Sequence, residues 1–214
     1  MADITVIGGS GYAGSHIVEA AAVRGHSVTS MTRREAAEQM AGVRYLEGAI
    51  GRAEDRARAL DGAEVVIVAV SPRGEMAGAL RPAIAELAAE AGAAGVRLGV
   101  VGGAGSLLQS AGGPLVMDGP DFPDEIKPEA AEMAGVLDDL RATPDSLDWF
   151  YVSPAGGFGP WAAGTFRDEY RVGGDVILTD ENGASEISGA DFGIAVVDEI
   201  EEPRHRRARF TVAY

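Results

Sequence analysis

Four glycines stand within seven residues near the start of the chain, at Gly8, Gly9, Gly11 and Gly14. They follow an apolar run at residues 4–7 and precede a segment with helical spacing. Glycine at such a bend allows a tight turn, a close approach of the backbone to an anion, and close packing of a helix on a strand. The first N–H groups of that helix attract negative charge. The pattern predicts a dinucleotide-binding loop; the alternative, a glycine-rich turn without a ligand, leaves the clustering unexplained.

Two arginines, Arg33 and Arg34, follow the second predicted strand. NAD-specific proteins place an acidic residue at this point, where it accepts hydrogen bonds from the ribose hydroxyls. Guanidinium groups suit a 2′-phosphate instead, and the alternative is a pair of solvated surface arginines. We therefore predict NADP as the cofactor, with NAD as the alternative. The predicted cofactor contacts at the loop and at the strand ends are Gly8, Ser10, Gly11, Tyr12, Ala13, Gly14, Arg33, Arg34, Val70, Ser71 and Gly102.

Short β-branched runs alternate with alanine-rich segments of helical spacing, which is the pattern of a parallel sheet covered by helices. Strands are predicted at residues 4–7, 27–31, 43–46, 65–70, 97–101, 148–152 and 209–213. Helices are predicted near residues 12–24, 34–41, 53–60, 75–91, 127–142 and 189–201. The pattern predicts an α/β fold with a doubly wound parallel sheet, in which ligands bind outside the carboxyl ends of the strands.

The length of 214 residues, of which 46% are hydrophobic, predicts a single domain over residues 1–214. Residues 1 to about 110 form its nucleotide-binding half. Residues 153–161 are too rich in Gly and Pro for a helix and predict a loop. Short strands at residues 170–172 and 176–179, with a tight turn at residues 180–183, follow that loop. We expect residues 153–190 to cover the substrate side of the domain.

The composition argues against several classes of function. The chain has no cysteine and three widely separated histidines, so we expect neither a disulfide nor a metal site. A formal net charge of −15 opposes binding to nucleic acid or to an anionic membrane surface. No apolar run approaches the roughly 18 residues of a spanning helix, and no basic leader precedes the first strand. We expect a cytoplasmic monomer or homodimer.

A family resemblance is carried by six segments spread over the whole chain. They are GGSGYAG at residues 8–14, RGHSV at 24–28, VVGGAGS at 100–106, DFP at 121–123, KPEA at 127–130 and RFTVAY at 209–214. Together they resemble the atypical short-chain dehydrogenase/reductase relatives described as NAD(P)H-binding, NmrA-like or NADH-flavin reductase proteins. Such relatives include flavin and biliverdin reductases, and also NmrA-type proteins that bind the dinucleotide without turnover. The resemblance implies the fold and the cofactor and leaves catalysis open.

The Tyr-x-x-x-Lys pair of tyrosine-dependent members of the superfamily is missing. The single lysine is Lys127, and Pro123 stands four residues before it. In those members the lysine lowers the tyrosine pKa, so that the tyrosine exchanges a proton with a carbonyl or alcohol. The missing pair argues against that chemistry and against sugar epimerisation by the same route. It leaves flavin reduction open, because a flavin ring accepts hydride at a nitrogen and takes protons from water.

Two serines that follow predicted strands are the candidate catalytic residues. Ser106 follows the fifth strand, where the superfamily usually has a substrate-orienting serine, and its alternative role is a helix or turn cap. By the same resemblance, Ser153 and Pro154 lie near the nicotinamide, and Pro154 is a further predicted cofactor contact. A serine before a proline can also simply end a strand.

Four further residues are predicted to contact the substrate. Phe158 and Trp161, in the loop rich in Gly and Pro, form one wall of an acceptor pocket, and Phe122 lies opposite them. Lys127 reaches an anionic group of the substrate. The alternatives are aromatic rings that cover a hydrophobic core and a solvated surface lysine.

These predictions lead to one function and two rivals. The leading hypothesis is an NADPH-dependent oxidoreductase that transfers hydride to a flavin-like small-molecule acceptor. The first rival is a redox-sensing, NmrA-like binding protein without turnover. The second is a reductase or isomerase of one biosynthetic intermediate.

Overall fold

The chain folds around a sheet whose strands run parallel, except at one edge. The computed structural model describes residues 1–34 and 39–214. In these ranges the strands are β1 (Asp3–Ile7), β2 (Ser27–Thr32), β3 (Val43–Glu47), β4 (Val65–Val68), β5 (Arg97–Val101), β6 (Trp149–Ser153), β7 (Arg171–Gly173) and β8 (Ala208–Ala213). Their order in the sheet is β3-β2-β1-β4-β5-β6-β8-β7, and β7 alone pairs antiparallel. This confirms the predicted doubly wound α/β fold.

Helices cover both faces of the sheet. They are α1 (Tyr12–Val23), α2 (Ala53–Leu60), α3 (Leu80–Ala94), α4 (Lys127–Arg141) and α5 (Gly189–Glu201). Side chains of β4 alternate between the two faces: Val66 and Val68 pack in the core beside α3 and α4, whereas Val65 and Ile67 pack in the core beside α1 and α5. Within the described ranges, no helix has both the length and the apolar character needed to cross a membrane.

The predicted strands and helices are confirmed with three exceptions. Residues 35–38 of the predicted helix at 34–41 lie outside the described residues, and residues 39–41 are not helical. The predicted helix at 75–91 begins only at Leu80, because a short 3₁₀ turn at Gly74–Met76 and a left-handed Gly78 (φ 72°) precede it. The predicted strand at 176–179 is wrong: Val176 forms one isolated bridge with Leu108, and β7 pairs with β8 instead.

The two helices α1 and α5 touch through glycine. A Cβ atom on Gly193 would lie 2.4 Å from the carbonyl oxygen of His16, and one on Gly189 would lie 2.1 Å from the His16 ring. Ser188 caps α5, because its side-chain oxygen accepts a hydrogen bond from the N–H of Asp191 at 3.1 Å. The close contacts of Gly189 and Gly193 with His16 hold the start of α5 against α1, the helix that follows the glycine loop.

A buried ion cluster joins β5 to α5 at the amino-terminal edge of the sheet. Nη2 of Arg97 lies 2.6 Å from Oε1 of Glu199, and Nδ1 of His205 lies 2.7 Å from Oε2 of the same carboxylate. Burial opposes ionisation of Glu199, but the hydrogen bonds from Arg97 and His205 outweigh it, so the Glu199 pKa is lowered. The cluster lies far from the carboxyl ends of the strands and is structural.

Candidate functional site

The glycine loop is packed tightly between β1, β2 and β4. Gly8 has a left-handed backbone (φ 88°), and its N–H donates to the carbonyl of Met31 at 2.8 Å. A Cβ atom on Gly8 would lie 2.5 Å from the carbonyl oxygen of Ala69, and one on Gly14 would lie 2.1 Å from the carbonyl oxygen of Gly8. No larger residue fits either position without moving the backbone, so α1 begins directly against the end of β1.

The first turn of α1 suits an anion. Gly11 is its N-cap and provides no side-chain cap, and the first turn contains no acidic residue. The first N–H groups of a helix have no intrahelical acceptor, and the positive end of the helix dipole lies beside them. The residues present therefore fit the pyrophosphate of a dinucleotide, whose phosphates would accept these hydrogen bonds.

A cleft of about 430 Å³ opens in front of this loop, at the carboxyl ends of β1, β4, β5 and β6. Its lining includes ten of the predicted site residues, namely Gly11, Tyr12, Ala13, Val70, Ser71, Gly102, Phe122, Pro154, Phe158 and Trp161. Gly8 and Gly14 shape the loop behind it, and Ser10 is exposed. Residues more than 140 positions apart in the chain meet here because parallel strands end at one edge.

A second cavity, of about 640 Å³, lies beside the ends of β2 and β3. Among the described residues, five arginines line it: Arg33, Arg34, Arg52, Arg58 and Arg73. The guanidinium of Arg33 lies 3.2 Å from the exposed carboxylate of Glu75. Arg73 borders both this cavity and the cleft, so the two adjoin at this residue.

The sequence interpretation missed Arg52 and Arg58, which stand at and after the start of α2. The predicted boundaries of β3 and α2 were the signal for Arg52, because they place residues 47–52 at the carboxyl edge of the sheet. Arg58 has no such signal. Its guanidinium reaches back along the helix to the carboxylate of Asp55 (3.0 Å) and the carbonyl of Glu47 (3.1 Å).

The outer wall of the cleft is aromatic. The Phe158 ring meets Tyr12 edge-on, with centroids 5.2 Å apart, and packs against Phe192 of α5 at 4.5 Å. Trp161 is 70% exposed at the rim. Phe122 lies across the cleft beside Gly105. Aromatic rings at such an open mouth offer stacking surface to a flat ligand.

The structure holds three other predicted site residues outside the cleft lining. Ser106 is buried, and its hydroxyl and carbonyl both accept hydrogen bonds from the Arg209 guanidinium, at 3.1 Å and 2.8 Å. Ser153 is fully buried within β6, and its hydroxyl has no hydrogen-bond partner in the described part of the chain. The amino group of Lys127 lies 2.7 Å from Asp124. None of the three lines the cleft.

Tyr151 lies directly beneath the cleft. Its ring occupies the space that a Cβ on Gly102 would need, with Cε1 2.1 Å away, so the residue that follows β5 has no room for a side chain. Its hydroxyl donates to the carbonyl of Met133 at 3.0 Å, and burial raises the pKa of Tyr151 to about 12. This tyrosine supports the floor from below and keeps its proton near neutral pH.

A dinucleotide loop at the carboxyl edge of a doubly wound sheet, with a cleft on one side and an arginine-lined cavity on the other, defines a Rossmann-type NAD(P)-binding protein. A family model described as NAD(P)H-binding matches residues 8–203. The chain belongs to this NAD(P)H-binding family.

Individual relatives match over almost their full length. YwnB from Bacillus subtilis (strain 168) is 38% identical over 221 residues, which cover 98% of this chain and 97% of that protein. A Streptococcus pneumoniae TIGR4 structure described as a "putative NADH-flavin reductase" is 34% identical, with a TM-score of 0.86 over 100% of this chain and 99% of that one. A Bacteroides thetaiotaomicron structure described as a "putative epimerase" is 30% identical, with a TM-score of 0.87 over 100% and 97%.

Proposed function

We propose that the protein is an NADPH-dependent oxidoreductase that transfers hydride to a flavin or a similar conjugated acceptor. The observation that carries the proposal is that the cleft and the arginine-lined cavity adjoin at Arg73, on the two sides of the glycine loop. An extended ligand whose phosphates lie at the start of α1 has an arginine-lined space for one end and an aromatic-lined cleft for the other. The similarity to a structure described as a flavin reductase supports the same choice.

The residues of this chain bind and orient the reactants. Backbone N–H groups at the start of α1 hold the pyrophosphate, and Arg33 and Arg34 face the adenosine end. When bound, the reduced nicotinamide supplies the hydride. Phe158 and Trp161 hold a flat acceptor over the floor formed by Gly102, and residues 153–190 serve as the substrate-side cover of the domain.

Proton supply comes from solvent rather than from a side chain. The buried hydroxyl of Tyr151 donates to a carbonyl, and Ser106 accepts from Arg209. NADPH, an oxidised flavin and one proton give NADP⁺ and the reduced flavin, and the open mouth of the cleft admits water for that proton. Positioning is then the main contribution of the protein to the rate.

The test is direct. Purified protein should bind NADPH, and riboflavin or menadione should accelerate NADPH oxidation, followed by its absorbance. A Gly102→Val variant should lose the acceleration, because a β-branched side chain at the floor overlaps Tyr151. NADPH binding without acceptor-dependent oxidation contradicts the proposal.

One observation favours a second candidate, the non-catalytic NmrA-like sensor. The predicted catalytic serines are both engaged or buried away from the cleft, which a protein that only reads the redox state of the dinucleotide tolerates. For that candidate, NADP⁺ should bind as tightly as NADPH or more tightly, with no turnover of any acceptor. Turnover of a single intermediate without flavin activity would instead indicate the specific reductase or isomerase.

A further inference from the structure

The charged side chains that border the cleft neutralise each other. Among the described lining residues the charged ones are Arg73, after β4, and Glu129, in the first turn of α4. Nε of Arg73 lies 2.7 Å from Oε2 of Glu129, so the two charged groups of the lining form an ion pair with each other. Lys127, two residues before Glu129, is paired with Asp124 at 2.7 Å outside the lining. The cleft as built carries one positive and one negative charge in contact.

Apolar and aromatic groups make up most of the remaining wall. Ile126, Ala130 and Met133 line it from the α4 side, and Phe158 and Trp161 face them from the loop that follows β6. Such a surface favours a flat, conjugated ring over a charged group, because burying a charge without a partner is costly. The wall therefore selects the ring system of the acceptor.

The surroundings oppose any additional negative charge. Arg73 also borders the arginine-lined cavity, so the phosphates of a bound dinucleotide compete with Glu129 for its guanidinium. If Arg73 stays with Glu129 the cleft is neutral, and if it turns to the phosphates the cleft is left negative. The formal charge of −15 adds a repulsive field for anions that approach from solution.

We propose that the acceptor is uncharged: a riboflavin-like or quinone-like ring rather than a flavin that carries a phosphate. This inference rests on the proposed function and specifies the substrate class of the same site. A phosphate monoester adds roughly −1.5 to −2 charges at neutral pH. When Arg73 turns to the phosphates of the dinucleotide, FMN therefore meets the unpaired carboxylate of Glu129 and a repulsion that riboflavin, with the same ring, does not.

Binding of the two flavins to protein saturated with NADP⁺ tests the inference, with flavin fluorescence anisotropy as the readout. Riboflavin should bind at least about tenfold more tightly than FMN, because like charges brought together across an interface cost several kcal/mol. The gap should narrow when the ionic strength rises from about 0.01 M to about 0.15 M, as the Debye length falls from about 30 Å to about 8 Å. FMN binding as tight as riboflavin binding overturns the inference.

Two variants locate the effect. Glu129→Gln leaves Arg73 without its partner and should shift the FMN-to-riboflavin affinity ratio by about fivefold toward FMN. Asp124→Asn is the matched control, because it also removes one negative charge, three residues before α4 begins, but frees Lys127 outside the cleft lining. Its ratio should stay within about twofold of the unmodified protein. A shift in Asp124→Asn as large as that in Glu129→Gln would show that the Arg73–Glu129 pair does not set the ratio, and would overturn the inference.

Turnover measured on the same samples separates this inference from the proposed function. If riboflavin binds more tightly than FMN yet does not accelerate NADPH oxidation, the charge preference stands and the proposed function fails. If both flavins turn over and FMN is preferred, the function stands and the charge preference fails. If neither flavin nor menadione binds, both are overturned.

Discussion

The two sides of the site are built by different means. On the cofactor side, the loop lies at the end of β1 between two parallel neighbours, and backbone hydrogen bonds such as that from Gly8 to Met31 fix it. On the proposed acceptor side, the segment from Pro154 to Ser188 contains a single three-residue strand. The dinucleotide side depends on backbone geometry, whereas the acceptor side depends on a few side chains that hold an irregular segment in place.

Asp191 is the main anchor on the acceptor side. It is 0% exposed, and its carboxylate accepts hydrogen bonds from the N–H groups of Arg167 and Asp168, each at 3.0 Å, and from the hydroxyl of Ser188 at 2.7 Å. The Tyr214 hydroxyl also contacts this carboxylate, and the Arg167 guanidinium lies 3.9 Å from the centre of the Tyr214 ring. One side chain of α5 therefore holds residues 167 and 168 of this segment in place.

The largest expected effect on NADPH affinity comes from a substitution in the glycine loop. Gly14→Ala places a Cβ 2.1 Å from the Gly8 carbonyl oxygen, so α1 must move away from β1. NADPH affinity should fall by at least about 100-fold, measured by calorimetry. Gly51→Ala is the control, because its added Cβ meets nothing within 4 Å and should leave affinity unchanged. Unaltered binding by the Gly14 variant would mean that the loop does not hold the cofactor.

Removal of the two predicted phosphate-reading arginines should give the next largest effect. The double variant Arg33→Ala/Arg34→Ala should weaken NADPH by about 10- to 100-fold, because each charge-assisted hydrogen bond contributes about 1.5–3 kcal/mol. NADH, which has no 2′-phosphate, should change by about twofold or less. Arg204→Ala, on the exposed far side, serves as the control. If the affinities for NADH and NADPH fall by the same factor, the two arginines do not contact the 2′-phosphate.

A substitution at Asp191 should affect binding of the acceptor without affecting binding of the cofactor. Asp191→Asn offers one acceptor oxygen in place of two and should raise the KM for the acceptor by about tenfold while the NADPH Kd stays within about twofold. Trypsin should cleave faster after Arg167, because the amide of that residue loses its partner. Tyr214→Phe, which leaves the carboxylate and its backbone bonds intact, should show a smaller change in both measurements. A matching loss of NADPH affinity would show that the two sides are not independent.

The smallest expected effect on either ligand comes from the buried cluster at the opposite edge. Because the Glu199 pKa is lower in the folded chain than its ordinary value of 4.5, its contribution to stability is present above that value and is lost as the pH falls through the folded pKa. Glu199→Gln should lower the free energy of unfolding near neutral pH and flatten its acid dependence, measured with urea at several pH values. NADPH and acceptor affinities should stay within about twofold. A large change in either would tie the site to this cluster.

The sequence was sufficient to predict the regular elements and the cofactor loop, because both follow from local patterns. Residues 97–101 and 189–201 match β5 and α5 at both ends. The start of α3 has no local signal: the carboxylate of Glu132, on α4, accepts hydrogen bonds from the N–H groups of Gly78, Leu80 and Arg81 at 2.7–3.1 Å. A cap supplied by another helix is invisible to spacing arguments.

Side-chain direction was the other limit of the sequence interpretation. The position of Ser106 after β5 predicts the edge of the sheet on which it lies, but not that Arg209 of β8 draws its hydroxyl away from the cleft. The strand predicted at 176–179 failed for a related reason. Its β-branched residues indicate extended backbone, whereas a strand also needs a pairing partner: β8 pairs with β7, and Val176 meets only Leu108, at a single bridge.

The glycine contact between α1 and α5 has a consequence for how the molecule matures. Gly193 meets the backbone of His16 so closely that the two helices share one buried surface, although the ribosome makes them at opposite stages of synthesis. A nascent chain with only its first helix and strands lacks the partner on which α1 rests. The ability to bind the dinucleotide should therefore appear late, once α5 has emerged from the ribosome, and should not increase gradually as successive strands are added.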